Sequence, residues 1–295
     1  MSRGLWRVEV DGAPCLARGT VDDGPQSLMP ADITLASLLN GTAADFAASL
    51  HVRGGQVVPA GARLLAPVAE QEIWAAGVTY ERSREARREE SRVADLYDRV
   101  YEAERPEVFF KSPGRWVRGT GAPIGIRADS TWDVPEPELA LVVNSRGDVV
   151  AYTIGNDMSS RSIEGENALY LPQAKYYTGA CAIGPCLVPV ADAPPLHDMT
   201  VALRITRADK TMFDDCVAVA RMKRTPEELV DWLFRAQEFP EGVVLLTGTG
   251  LVPAGDFTLL PRDEVIISIT GLGELRNTVE RVGRADMRSK PRVMS

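Results

Sequence analysis

The sequence predicts an α+β fold that is mainly β, with a small N-terminal domain followed by a larger domain. The run Leu139–Val143 is continuously apolar, which is typical of a strand buried on both faces. Asn144–Asp148 has the composition of a turn, and Val149–Ile154 is predicted to return as the neighbouring strand. Glycine and proline mark many turns, with 25 and 20 copies, and few helical patterns interrupt them.

Length and charge exclude several classes of protein. A chain of 295 residues has a length typical of about two domains. Its net charge of −8 makes it a poor binder of phosphate backbones, so we expect no nucleic-acid partner. No apolar run approaches the ~20 residues that span a bilayer. Arg7 and Glu9 interrupt the position of a secretory apolar core, so we expect no membrane partner.

Cysteine and histidine usage points to a cytoplasmic protein without a histidine-based site. The four cysteines form no CxxC pair and fit a reduced compartment, where buried cysteine behaves as a small hydrophobic residue; they are Cys15, Cys181, Cys186 and Cys216. Only two histidines are present, His51 and His197. A site with several histidine ligands, or a histidine-based triad, is therefore not expected.

The predicted N-terminal domain covers residues 1–67, and the second domain covers residues 68–295. Strand-like residues flank the turn Asp11–Gly12, and a short helix is predicted over Leu35–Leu39. A stretch rich in glycine and proline, residues 54–67, marks the boundary.

Two longer helices are predicted in the second domain. Apolar residues recur at helical spacing between Val93 and Tyr101, which predicts an amphipathic helix from about Ser83 to just before Pro106. The second helix has Thr225 as N-cap, Pro226 as its first residue and a capping box completed by Glu228. Further strands are predicted over residues 243–246 and 264–270.

The most informative residues are the acids Glu136 and Glu138. Two positions apart on a strand, their side chains point to the same face. Pairing Val143 with Val149 would place Asn156 opposite Glu136, whereas a tighter two-residue turn would place Asp157 there. Either register brings three carboxylates together at one end of a buried hairpin, because cross-strand Cβ atoms lie about 4.5–5.5 Å apart.

Three ionised acids beside an apolar strand must protonate, find cations or bind a metal. An all-oxygen ligand set favours a hard ion such as Mg²⁺, with Mn²⁺ or Ca²⁺ as possible substitutes. The alternative is that they are exposed strand-end acids paired with arginines. Lys175 is either a surface lysine or a charge partner of such a site. Thr247–Gly250 is either an ordinary turn or a loop whose N–H groups approach a carboxylate.

As a set, these residues resemble the fumarylacetoacetate hydrolase superfamily. Its metal signature, Glu-x-Glu followed by a distant Asp and then a Lys, matches Glu136, Glu138, Asp157 and Lys175. The resemblance extends from about Ile73 to Ile269. It implies a small N-terminal domain, a β roll that carries the site, one Mg²⁺ per subunit and a homodimer or homotetramer.

Within the superfamily, the chain is most similar to members that dehydrate 2-keto-3-deoxy sugar acids of pentose catabolism. Three stretches carry this likeness: residues 105–111, 132–139 and 166–175. Hydrolytic and decarboxylating members commonly have a histidine general base where this chain has Ser83. Serine has no basicity near pH 7, so water attack on a C–C bond is not expected. Ser162 also replaces an aspartate found in many relatives.

The resemblance implies a lyase reaction in which a metal polarises the 2-keto group and thereby acidifies the C3 protons. A carboxylate base removes one C3 proton while an acid helps the C4 hydroxyl to leave as water, which gives a 2,5-dioxo acid. Glu107 is the first candidate for the base and Glu81 the second. Glu107 could instead be a helix-end acid paired with Arg105.

Positive charge for the substrate carboxylate, the developing enolate or a neighbouring acid would come from Arg84, Lys111 and Lys175. Thr249 would bind the substrate carboxylate through its hydroxyl and N–H groups, and Tyr80 or Tyr170 could line the pocket. Two alternatives stay open. One is a hydrolase or decarboxylase acting on a β-diketo acid such as an acylpyruvate or oxaloacetate. The other is an oligomer that binds a keto acid without catalysis.

Overall fold

The computed structural model describes residues 2–52, 54–82 and 94–284. These residues form seventeen strands: Arg3–Val10 (β1), Ala13–Thr20 (β2), Gly24–Leu28 (β3), Arg63–Leu64 (β4), Glu72–Gly77 (β5), Glu107–Pro113 (β6), Ile124–Arg127 (β7), Asp133–Val134 (β8), Pro137–Val143 (β9), Val149–Asp157 (β10), Ser159–Ser160 (β11), Cys181–Pro189 (β12), Thr200–Arg207 (β13), Lys210–Ala218 (β14), Val243–Leu246 (β15), Glu264–Ile269 (β16) and Gly273–Val282 (β17).

The same residues form six α-helices, most of them short: Leu35–Leu39 (α1), Ala43–Leu50 (α2), Ala94–Glu102 (α3), Arg161–Glu166 (α4), Leu171–Lys175 (α5) and Pro226–Phe234 (α6). The fold is therefore mainly β, as the sequence predicts. In the described part of the chain, no helix combines the length and the hydropathy needed to cross a bilayer.

The larger sheet has ten strands in the order β3-β2-β1-β12-β10-β9-β15-β5-β6, with β4 paired to β1. Strand β15 pairs antiparallel with β9 and parallel with β5. A second sheet has the order β14-β13-β16-β17-β7, and β8 pairs with β11 as a separate ribbon. The central hairpin β9–β10 thus lies in the middle of the larger sheet.

Strand β9 is buried along its whole length because both of its faces are covered. Leu139, Leu141 and Val143 belong to a core that includes residues of the second sheet. Ala140 and Val142 belong to the other core, which includes residues of α1 and α2. Alternate residues therefore enter two different cores, which accounts for the uninterrupted apolar run.

Most predicted elements are confirmed, with small differences at helix ends. The turn at Asp11–Gly12 joins β1 to β2, and the predicted helix over residues 35–39 is α1. At the start of α6, the Thr225 side chain accepts a hydrogen bond from the N–H of Glu228. The Glu228 carboxylate pairs with Arg224 at 2.5 Å, so the reciprocal half of the predicted capping box is wrong.

The charged helix before Pro106 is only partly described. Its C-terminal part is α3, which ends at Glu102, and its predicted start near Ser83 lies outside the described residues. The domain boundary at residue 67 stays a prediction. Strand β1, in the first predicted domain, pairs with β12 of the second, with Leu5 opposite Leu187.

Candidate active site

The hairpin β9–β10 brings Glu136 and Asp157 opposite one another. Val143 pairs with Val149 next to the turn, but a β-bulge follows, and Ala151 pairs with Val142. The bulge moves the remaining pairs by one residue. The N–H of Asp157 consequently donates a 2.9 Å hydrogen bond to the Glu136 carbonyl oxygen. The predicted pairing of Val143 with Val149 is therefore confirmed at the turn. At the other end of the hairpin, the alternative that places Asp157 opposite Glu136 is confirmed.

Glu136, Glu138 and Asp157 form a buried cluster of three carboxylates. One oxygen from each lies within 4.8 Å of the others, and the three residues are 5%, 1% and 1% exposed. Burial raises the pKa of Glu138 well above its usual value, and repulsion from Asp157 and Glu136 adds to this effect. The burial rules out exposed strand-end acids. An all-oxygen set under mutual repulsion fits a hard divalent cation.

Lys175 joins two of these acids. Its Nζ atom lies 2.8 Å from Glu136 Oε2 and 3.1 Å from Asp157 Oδ2, and it donates to Ser159 Oγ at 2.6 Å. The residue is 2% exposed, so it is not a surface lysine. Lys175 is the last residue of α5, and Pro172 lies in the first turn of the same short helix. The charge-partner interpretation is the one that the geometry supports.

Two further cationic side chains, Lys111 and Arg161, form ion pairs with acids of the cluster. Lys111 is fully buried on β6, where its Nζ atom ion-pairs with Asp157 and donates to the carbonyl oxygen of Met158 at 3.0 Å. Arg161, at the start of α4, donates to Glu136 Oε1 at 3.0 Å. Three positive side chains thus face three carboxylates, so the protein itself provides part of the neutralisation. A substrate-binding role for Lys111 stays a prediction.

The loop after β15 supplies backbone contacts to the cluster. The Gly248 N–H donates to Glu138 Oε2 at 2.5 Å, and the Thr247 hydroxyl donates to the Leu139 carbonyl at 2.9 Å. Gly248 has φ near +90°, and an added Cβ would collide with the Thr79 hydroxyl. The loop that approaches a carboxylate through N–H groups is therefore present, and Thr249 follows directly in it.

One small cavity adjoins the cluster. Its lining comes from five separate parts of the chain and includes Glu107, Glu136, Asp157, Glu164, Lys175 and Thr249. Glu107 begins β6, pairs with Gly77 on β5, and lies so close to Gly77 that any Cβ there would overlap its carboxylate. The Arg105 guanidinium lies over the Trp232 ring at 4.4 Å. Glu107 therefore faces the cavity, whereas Arg105 packs on an aromatic ring.

The remaining predicted residues lie elsewhere or outside the description. Glu81 is exposed and does not line this cavity. Arg84 and Ser83 lie outside the described residues. Tyr80 is buried, and its pKa is raised by burial and by the charge of Glu138, which places it near the cluster. Tyr170 is 36% exposed.

Sequence reasoning missed the contributions of Arg161, Ser159 and Glu164. All three follow Asp157 within seven residues, so their proximity along the chain was the available signal. Arg161 and Glu164 are one helical turn apart on α4, which places them on the same side of that helix. A larger groove between the N-terminal strands and residues 28–36 is lined by none of the predicted site residues.

Comparisons with known proteins agree with this architecture. A family model described as fumarylacetoacetate (FAA) hydrolase C-terminal matches residues 72–280. A probable 2-keto-3-deoxyxylonate dehydratase from Haloferax volcanii is 52% identical over 217 residues, which cover 73% of this chain and 74% of that protein. A 2-dehydro-3-deoxy-D-arabinonate dehydratase from Saccharolobus solfataricus is 41% identical over 224 residues, or 74% of this chain and 75% of that protein.

A solved structure also matches nearly the whole chain. It is a 2-keto-3-deoxy-D-arabinonate dehydratase complexed with magnesium and 2,5-dioxopentanoate. The TM-score is 0.82 at 31% identity, and the match covers 96% of this chain and 100% of the other. With the family model spanning residues 72–280 and these relatives aligned over most of their length, the chain belongs to the fumarylacetoacetate hydrolase family.

Proposed function

We propose that this protein is a Mg²⁺-dependent lyase that dehydrates a 2-keto-3-deoxy pentonate to 2,5-dioxopentanoate. The observation that carries the proposal is the placement of Glu107 in the same cavity as the buried carboxylate cluster. A candidate base thus adjoins a candidate metal site. The names of the two dehydratases, and the product bound in the similar solved structure, support this choice of substrate.

The metal would be held by Glu136, Glu138 and Asp157, whose oxygens already converge. When bound, the cation supplies Lewis-acid polarisation of the 2-keto acid and so lowers the pKa of its C3 protons. Lys175 holds Glu136 and Asp157 at a fixed separation. The Gly248 N–H fixes the orientation of Glu138. These contacts preorganise the three oxygens before any ligand arrives.

Side chains that line the cavity carry out the proton transfers. Glu107 accepts a C3 proton, and the C4 hydroxyl leaves as water, so a C3–C4 double bond forms and no C–C bond breaks. The double bond then moves to C4–C5 by loss of a C5 proton and gain of a C3 proton. This gives the enol of the C5 aldehyde. Thr249 binds the substrate carboxylate at the loop after β15.

The test is a product assay on the purified protein. With Mg²⁺ and a panel of 2-keto-3-deoxy pentonates and hexonates, a pentonate should give 2,5-dioxopentanoate by NMR. An acylpyruvate and oxaloacetate are included as substrates for the hydrolase and decarboxylase alternatives. Turnover of either of these, without dehydration of any sugar acid, would contradict the proposal.

We also propose that the protein works as a cytoplasmic homodimer or homotetramer. The absence of a CxxC pair and the resemblance described above support these two statements. Light scattering on a sizing column at several protein concentrations measures the oligomeric state. A monomer at all concentrations would contradict the proposed homodimer or homotetramer.

A further inference from the structure

The backbone of Glu136 lies between two prolines, Pro135 and Pro137. Proline has no N–H group, so the Glu136 N–H is the one backbone donor of this three-residue stretch. That N–H donates a 3.3 Å hydrogen bond to the side-chain oxygen Oδ1 of Asn156. A side chain that is not itself a candidate ligand therefore contacts the backbone of a candidate metal ligand.

Asn156 and Asp157 hold the backbone of Glu136 from the opposite strand. Asn156 accepts from its N–H group, and the N–H of Asp157 donates to its carbonyl oxygen at 2.9 Å. The two carboxylate oxygens of Glu136 are contacted separately, by Arg161 at 3.0 Å and by Lys175 at 2.8 Å. Any residue other than proline at position 157 would supply a backbone N–H, whereas the contact from position 156 depends on the side chain.

Another buried asparagine, Asn277, shows how such a residue can serve the fold alone. Its Nδ2 atom donates to the carbonyl oxygens of Gly119 and Ala122, at 2.9 Å and 2.8 Å. Asn156 is fully buried, but its Nδ2 atom has no hydrogen-bond partner within residues 2–52, 54–82 and 94–284. Burying an amide nitrogen without a partner costs stability, so sheet stability alone does not account for Asn156.

Asn156 lies close to the metal site without facing the place where substrate would bind. The described lining of the cavity includes Glu136 and Asp157 but not Asn156. Its hydrogen bond ends on the backbone of Glu136 rather than on the carboxylate. Asn156 would therefore act on a bound cation only through the position of Glu136.

Resting on the proposed function, we infer that Asn156 is a positioning residue for the metal site. Its side-chain oxygen holds the backbone of Glu136 in place. That backbone position helps to set the distance from the Glu136 carboxylate to the carboxylates of Glu138 and Asp157. Asn156 neither binds the cation nor transfers a proton. Residues that support metal ligands in this way typically contribute about 10–100-fold to metal affinity.

The test measures metal binding without turnover. Isothermal titration calorimetry with Mg²⁺ and no substrate compares wild type with Asn156→Leu, which keeps a side chain of similar size but lacks the acceptor oxygen. The dissociation constant for Mg²⁺ should rise by about 10–100-fold. In the dehydration assay, the Mg²⁺ concentration that gives half the maximal rate should rise in parallel. At saturating Mg²⁺, kcat should stay within about threefold of wild type, because the occupied site has the same ligands.

Asn277→Leu is the matched control, because it removes a buried asparagine from β17 in the second sheet. It should lower the urea midpoint, since the carbonyl oxygens of Gly119 and Ala122 lose their donor, and should leave the Mg²⁺ dissociation constant unchanged. If a leucine variant does not fold, alanine at the same position removes the same polar atoms without added bulk. The expected results are then the same.

Two results would overturn the inference. One is a folded Asn156 variant whose Mg²⁺ dissociation constant lies within about threefold of the wild-type value. The other is an equal loss of Mg²⁺ affinity in the Asn277 variant, which would make the effect one of general stability. If wild type binds Mg²⁺ but dehydrates no sugar acid, the proposed function fails, while calorimetry still decides the role of Asn156.

Discussion

The Nζ atom of Lys175 lies 2.8 Å from Oε2 of Glu136, although 39 residues separate them along the chain. The same nitrogen reaches Asp157, so one lysine spans two of the three clustered acids. A buried cation at this place stabilises two carboxylates that would otherwise repel each other. Lys175 therefore offsets part of the repulsion within the candidate metal site.

Replacing Glu136 by Gln should abolish Mg²⁺-dependent activity while the fold survives. The change removes one negative charge from the cluster and leaves Arg161 and Lys175 without this ion-pair partner. Turnover should fall by more than the about 10–100-fold that loss of a group supporting a metal ligand costs, because Glu136 is itself a candidate ligand. Activity and the Mg²⁺-induced thermal shift are measured together, with exposed Glu238→Gln as the control. Unchanged turnover would remove the metal site from the mechanism.

Replacing Glu107 by Gln should slow dehydration by about 10²–10⁴-fold, the usual contribution of a general base. The amide keeps the shape of the side chain against Gly77 but cannot accept the C3 proton. Exchange of the C3 hydrogens with deuterated water, followed by NMR, should be lost in parallel. Glu104→Gln, an exposed neighbour on the same segment, is the control. A loss smaller than tenfold would point to another base.

Asp133 should make stability depend on pH in the mildly acidic range. Burial raises its pKa to about 6, against opposing hydrogen bonds from Ser130 and Arg127. The folded state therefore holds this proton more tightly than the unfolded state, so stability falls as pH rises from about 4 to about 6. A rise from 3.8 to about 6 corresponds to about 3 kcal/mol.

Urea unfolding of wild type and Asp133→Asn at several pH values measures this effect. The variant should lack the decline between pH 4 and pH 6 that Asp133 contributes. Exposed Asp231→Asn, which alters only a surface pair with Arg235, serves as the control and should keep the decline. Parallel curves for wild type and Asp133→Asn would show that Asp133 does not titrate abnormally.

Gly248→Ala should destabilise the protein and weaken the site. The residue needs φ near +90°, and the new Cβ would collide with the Thr79 hydroxyl, which itself donates to the Thr247 carbonyl. Strain at such a position costs about 1–3 kcal/mol. Moving the loop also removes the N–H donor from Glu138. Urea unfolding and activity are measured beside Gly255→Ala, where a Cβ meets nothing within 4 Å.

A variant as stable and as active as wild type would show that the loop tolerates displacement. In that case the hydrogen bond from Gly248 would not be needed to orient Glu138. Loss of activity with normal stability would instead separate the orienting contact from the strain.

Much of the site could be predicted because it depends on local periodicity. The spacing of Glu136 and Glu138 fixes their common face, and the composition of the hairpin brings Asp157 near. The register was ambiguous by one residue, since the bulge after Val149 depends on packing in the sheet rather than on turn residues. Both registers occur in the same hairpin, one at each end.

The sequence could not predict which side chains of the short helices α4 and α5 face the acids. Helices α4 and α5 have six and five residues, too few for a periodic pattern to show which side faces the acids. Lys111 appeared only through the resemblance, because a lysine inside a buried strand is unusual on general grounds. Its ion pair with Asp157 explains its burial.

The bulge in β10 allows the two ends of the β9–β10 hairpin to pair in different registers. The turn at residues 144–148 keeps its own hydrogen-bonded geometry, while the distal end keeps the alignment of its acids. If the pairing of Val143 with Val149 continued without a bulge, Asn156 rather than Asp157 would lie opposite Glu136. A single surplus residue near the tip of the hairpin thus decides which side chain faces Glu136 at the other end.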